Sequence, residues 1–256
     1  MYEVLILFFA GFIAGAINSL AGGGSFISFP ALIFVGVPPI SANATNTFAA
    51  TAGYISGTLG FKEHLFKTPQ GLIKITIFSI VGGIVGAWLL LQTSADGFEL
   101  LIPWLLLFAT LLFIYGAKLN GWISSLASGQ KNAGILGRIG LNIFLFCACA
   151  YGGFFNAGQG IINLAYLSLA GHTNILYMNG IKLLMSAVVG LIAIFIFIFN
   201  DLIAWEQGVA VLAGTLIGGY FSAQIANKLN PAHIRFAVIC ACIGTTIYFF
   251  YTTYFV

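Results

Sequence analysis

Ala21-Gly22-Gly23-Gly24-Ser25 separates an apolar run of membrane-spanning length, residues 4–21, from a second apolar run, 25–37, about half as long. Ala157-Gly158-Gln159-Gly160 does the same between residues 136–157 and 160–171. Each short piece ends at a turn signal, Gly36-Val37-Pro38-Pro39 in one case and Gly171-His172-Thr173-Asn174 in the other. A long run, a glycine break, a half-length run and a turn, met twice, make an internal repeat. Advancing by 135 positions carries Gly23 onto Gly158, Leu32 onto Leu167 and Gly36 onto Gly171; further along, 132 positions carry Gly82 onto Gly214 and Gly86 onto Gly218.

Outward from the breaks, hydropathy and breaker residues give long spans near 4–21, 41–61, 71–92, 99–117, 136–157, 175–199, 202–225 and 232–254. Of 256 residues, 60% are hydrophobic and 6% charged, too few charges to cover a soluble domain. The expected fold is all-α: a polytopic membrane protein of two repeats, with eight long spans and two half-length helices. The polar stretch around Asn120, Ser124, Ser125, Ser128, Gln130 and Lys131 divides the chain into a first repeat, 1–118, a cytoplasmic linker, 119–134, and a second repeat, 135–256. The first span has no basic region before it and no cleavage site after it, so it reads as retained structure.

Charge decides how the repeats are related. Lys62, Lys67, Lys74, Lys118, Lys131, Arg138, Lys228 and Arg235 fall in or beside one set of loops, and Asp96, Glu99, Asp201 and Glu206 in the alternate set. The positive-inside rule makes the basic loops cytoplasmic. All loops obey it if residues 4–37 enter the bilayer and return to their own side, so that three net crossings remain per half. The halves then run in opposite directions, with both termini outside the cytoplasm.

Interrupted helices in inverted repeats bring half-helix N-termini, with partial positive charge and free N–H groups, toward the bilayer centre. Gly22, Gly23, Gly24 and Ser25 form one such end; Gly158, Gln159 and Gly160 form the other. Lys182 is the one ionisable residue deep in a long span, and no intramembrane Asp or Glu exists to pair with it. Insertion costs about 2.5–3.5 kcal/mol, so it requires carbonyl oxygens, a wet cavity or a bound anion. Asn179, Lys182 and Ser186 share a helical face, as do Asn43 and Thr47. Asn43, Thr45 and Thr47 lie on the repeat counterpart of that helix, and Asn18, Asn156 and Asn163 flank the breaks. A small anion in the bilayer is the expected partner. Glycines that only permit close helix crossing, and amides that only join helices, are the plainer readings.

No G-x-x-x-x-G-K-[ST], H-E-x-x-H or G-x-S-x-G is present, so neither a nucleotide engine nor a familiar hydrolase is indicated. The pairs Cys147/Cys149 and Cys240/Cys242 diverge around a helix and read as small buried hydrophobes. His172 reads as an interfacial imidazole rather than a proton relay. No enzyme activity, cofactor, metal or nucleic-acid partner is expected.

Gly22-Gly23-Gly24-Ser25, Pro30-Ala31-Leu32, Gly36-Val37-Pro38, Ala42 with Thr45, and Gly53-Tyr54 resemble the first-repeat pattern of the sulfite exporter TauE/SafE family. Gly158-Gln159-Gly160 and Leu167 with Gly171 extend the resemblance through the second half. Ala165 stands where the family's half-helix has a proline, and Gly180-Ile181 where a small pair such as Gly-Thr is usual. The resemblance implies a secondary transporter in the bacterial cytoplasmic membrane that moves sulfite, a sulfonate, thiosulfate or a related anion, generally outward. An anion channel and a structural or assembly membrane protein are the alternatives.

Overall fold

The computed structural model describes residues 2–20, 23–67, 71–129, 135–225 and 231–255. Among them there is helix and no strand. The elements are α1 (Tyr2–Leu20), α2 (Ser25–Phe34), α3 (Pro39–Gly60), α4 (Lys62–Lys67), α5 (Leu72–Gln92), α6 (Ala95–Gly129), α7 (Ile135–Phe154), α8 (Gln159–Leu169), α9 (Ile175–Phe199), α10 (Trp205–Ile225) and α11 (Pro231–Tyr254). Two features depart from the expected pattern. The short helix α4 fills a stretch read as a loop, and α6 continues to Gly129, well into the stretch read as a linker.

Both half-helices stop by the same mechanism. After α2, Val37 N–H donates to Leu32 O (3.0 Å) and Gly36 N–H to Ile33 O (2.9 Å); after α8, His172 N–H donates to Leu167 O (3.0 Å) and Gly171 N–H to Ser168 O (3.1 Å). This is the Schellman pattern, which needs a left-handed residue after the last turn, and Gly36 (φ 86°) and Gly171 (φ 85°) supply it. Pro39 then opens α3, and the Asn174 side chain caps α9 by accepting from Tyr177 N–H at 3.1 Å.

Five helical stretches are long and apolar enough to cross a membrane: Leu72–Gln92, Ala95–Gly116, Ile135–Phe154, Leu176–Phe199 and Phe236–Tyr254. Bulky side chains such as Trp88, Trp104, Ile143, Phe195 and Tyr251 face outward from them, the reverse of a soluble protein. α3 is the informative exception. Asn43, Thr45, Asn46, Thr47 and Thr51 make it polar, and all five are buried. Buried among other helices as far as Thr51, that part of α3 has no need to be apolar.

The closest packing joins the first half of the chain to the second. α1 lies along α10, and α5 along α7. These pairs touch through backbone: a Cβ on Gly218 would strike the Phe12 carbonyl, and one on Gly86 the Ala150 carbonyl. Within each pair residue numbers rise together, so the helices are parallel. α3 and α9 run the other way, with Thr51 beside Gly190, Gly57 beside Leu183, and Phe61 beside Gly180. α6 and α11 are likewise antiparallel, as Trp104 meets Tyr254 (2.9 Å) and Thr110 meets Thr246 (3.0 Å).

α2 turns back beside α1, with Gly24 against the Ala14 carbonyl. The end of α2 joins the α9–α10 turn around a cavity of about 270 Å³ lined by Gly36, Pro38, Ser41, Asp201 and Gln207. The α1–α2 hairpin therefore begins and ends at one face of the bundle. Following these directions puts the exposed Glu3, Asp96, Glu99, Asp201 and Glu206 at that face and the exposed Lys62, Lys74, Lys118 and Arg138 at the other; Glu63 is the exception.

Candidate functional site

The α7–α8 break is assembled from both halves of the chain. α7 ends at Phe154, and Asn156 (φ 66°) and Gly158 (φ 78°) turn the backbone through the left-handed region before α8 starts. Asparagine tolerates that conformation better than most residues, and glycine adopts it freely. The Tyr151 hydroxyl holds the turn by donating to Ala157 O at 2.7 Å. From α3, the Tyr54 hydroxyl donates to Asn156 Oδ1 (2.9 Å), and Asn43 Nδ2 donates to Phe154 O (2.8 Å). From α9, Lys182 passes the start of α8 so closely that a Cβ on Gly160 would stand 3.4 Å from its Cδ.

Lys182 Nζ donates to Asn179 Oδ1, one turn earlier, at 3.1 Å. No Asp or Glu occurs in α3, α7, α8 or α9, so those helices offer its charge no counter-ion. Asn163, on α8, donates through Nδ2 to Lys182 O (3.4 Å) and Ser186 Oγ (3.3 Å). Asn43, Asn156, Gln159, Gly160, Asn163, Asn179, Lys182 and Ser186 thus gather around one break.

Six buried side-chain atoms among the described residues lack a hydrogen-bond partner, and five belong to this group: Asn43 Oδ1, Asn156 Nδ2, Gln159 Nε2, Gln159 Oε1 and Asn163 Oδ1. The four residues carrying them are at most 1% exposed. Buried amides are normally paired, so such a concentration marks a place where another polar species belongs.

The α1–α2 break is finished differently. Asn18 Oδ1 accepts from Gly24 N–H (3.4 Å), and the Ser28 hydroxyl meets Asn46 Oδ1 (2.6 Å) and Gly24 O (3.2 Å). Gly23 (φ 91°) packs against Phe113 and Val238, Ser25 is buried, and no orphaned atom lies there among the described residues. Gly22 lies outside the described residues.

Fewer helix-start amides are free than two bare N-termini would offer. Phe26 and Ile27 N–H donate to Gly23 O and Gly24 O, and Gln159 and Ile161 N–H to Asn156 O and Gly158 O. Those four amides are satisfied within their own turns. Thr45 and Thr47 point elsewhere: the Thr45 hydroxyl accepts from Ala204 N–H (3.0 Å) and that of Thr47 donates to Asn43 O (2.9 Å). His172 lies between α8 and α9 against the Tyr177 ring (5.3 Å), where burial pulls its pKa below the ordinary value. Neutral and half-buried, it acts as an aromatic contact. Tyr54 and Ser28 were not marked as site residues by the sequence; Gly53-Tyr54 carried part of the family pattern but no sign of its partner.

The arrangement can hold a small polar anion: an ammonium without a buried carboxylate, beside unpaired amide groups, at a helix break. The family model described as "Sulfite exporter TauE/SafE" matches residues 7–249. Over 235 residues the chain is 29% identical to a "Probable membrane transporter protein" of Haemophilus influenzae, covering 91% of this chain and 89% of that one. It is 28% identical over 232 residues to "Probable membrane transporter protein YfcA" of Escherichia coli K12, covering 90% and 83%. It is 27% identical over 243 residues to "Probable membrane transporter protein ORF9" of Sinorhizobium, covering 94% and 90%. No solved structure matches the chain.

Proposed function

Because the chain belongs to the sulfite exporter TauE/SafE family of membrane transporters, we propose that it carries a small sulfur-containing anion outward across the bacterial cytoplasmic membrane by alternating access. The observation that carries this reading is Lys182: a lysine within a membrane-length helix, bonded to an amide oxygen and packed against the start of α8, at a break whose residues carry five orphaned polar atoms. In this reading the anion neutralises the ammonium, and Asn156 and Gln159 donate to it. An ordinary structural lysine would need no such unfinished surroundings.

The architecture proposed is two inverted repeats with eight long helices in the bilayer and α2 and α8 reaching part of the way. The antiparallel pairing of α3 with α9 and of α6 with α11 supports it. Halves related by a two-fold axis along the membrane normal would pair such equivalent helices in parallel; an axis in the membrane plane reverses them. With the basic face cytoplasmic, both termini lie outside. The cavity beside Ser41 and Gln207 then opens to the outside, with Thr45 one turn below Ser41.

Purified protein in proteoliposomes should give saturable sulfite flux, and no large unitary currents in a planar bilayer. Large unitary currents carried by sulfite would instead mark a channel, and a protein moving no anion would be structural.

A further inference from the structure

The orphaned atoms at the α7–α8 break are not all donors, and for Asn43 the amide orientation is settled by chemistry. Asn43 must turn Nδ2 toward Phe154 O (2.8 Å), because a main-chain carbonyl can only accept, and Asn163 turns Nδ2 toward Lys182 O (3.4 Å) and Ser186 Oγ (3.3 Å). Each side chain therefore directs a carbonyl oxygen, Asn43 Oδ1 and Asn163 Oδ1, to a buried position with no donor. Gln159 leaves both a donor and an acceptor open. Set against these are the Lys182 ammonium, with one of its three donors on Asn179, and the open Asn156 Nδ2. The residues of this break thus offer both positive or donating groups and unpaired acceptors.

An oxyanion that only accepts matches half of such a site and leaves the amide oxygens unpaired, facing negative oxygens. We infer that the ligand of this site is a monoanion that also carries N–H or O–H donors, either a singly protonated oxyanion or an amidosulfonate of the sulfamate type. The inference rests on the proposed anion site and narrows its substrate class. In the protonated-oxyanion case the proton travels on the substrate, so no carboxylate relay is needed in helices that contain none.

Sulfamate and methanesulfonate form a matched pair of probes. Both are monoanions of similar shape at neutral pH, and they differ in an amino group against a methyl group. Binding to the purified full chain, read by thermal stabilisation across a concentration series, should show sulfamate effective at about one-tenth the concentration of methanesulfonate, the ratio expected when a buried acceptor gains its partner. In Asn163→Leu, which removes one acceptor, the ratio should shrink; if that variant does not fold, the wild-type comparison stands by itself. Equal binding of the two probes overturns this inference and leaves the anion site in place. Binding of neither overturns both.

Discussion

At position 182 an ammonium bonds an amide oxygen of its own helix, and no carboxylate occurs in α3, α7, α8 or α9. That residue is legible in the sequence because a charge inside an apolar run needs an explanation before any fold is known. Tyr54 is not. Its hydroxyl reaches Asn156 across 102 positions of sequence, and no periodicity or motif signals that contact. Asn46 meeting Ser28 is hidden in the same way. Tyr54→Phe should leave the Asn156 amide, 1% exposed, without its remaining side-chain partner. Losing a buried partner costs about 1–3 kcal/mol, so the thermal midpoint of the purified variant should fall by several degrees. An unchanged midpoint would show that the hydroxyl does not hold the break.

At the scale of single elements, the half-length helices were readable because glycine punctuates them: Leu32/Leu167 and Gly36/Gly171 mark the same cap twice. α4 was not, since six residues, Lys62–Lys67, are too few for a period to show. The continuation of α6 through polar residues to Gly129 also escaped a reading based on hydropathy. The break makes its own prediction. Gly158 sits at φ 78°, and a Cβ there would stand 3.2 Å from the Ala109 Cβ. Gly158→Ala should therefore destabilise by about 1–2 kcal/mol from the left-handed backbone alone. It should also displace the start of α8 and reduce transport. Gly53→Ala is the control: the position is mid-helix with open space around it, so the change should be neutral or slightly stabilising. If the two substitutions gave the same thermal midpoint and flux, the strain at the break would be immaterial.

For the whole molecule, charge and helix direction carry the same message by independent routes. Loop charges in the sequence gave an alternation of sides, and the parallel and antiparallel contacts place all the exposed acidic residues but Glu63 at one face and the exposed basic ones at the other. What the sequence could not reveal is how the proposed repeats, 1–118 and 135–256, pack. The tightest contacts, α1 on α10 and α5 on α7, join one half to the other. Backbone touching backbone at Gly86 and Gly218 ties those pairs together. Alternating access would then move mixed pairs of helices rather than whole halves of the chain. The orientation has its own test, in a background without the native cysteines. Ser94→Cys should react with an impermeant maleimide in intact cells, and Lys118→Cys only after permeabilisation; the opposite pattern would invert the assignment.

The claim beneath all of this is that a lone ammonium at the α7–α8 break neutralises the transported anion. Sulfite flux into proteoliposomes, compared between the wild-type chain and Lys182→Gln at equal reconstituted protein, addresses it most directly. The glutamine keeps length and polarity but loses the charge, so flux should fall at least tenfold while membrane insertion and the elution profile stay normal. Wild-type flux from a correctly inserted Lys182→Gln protein would contradict the account.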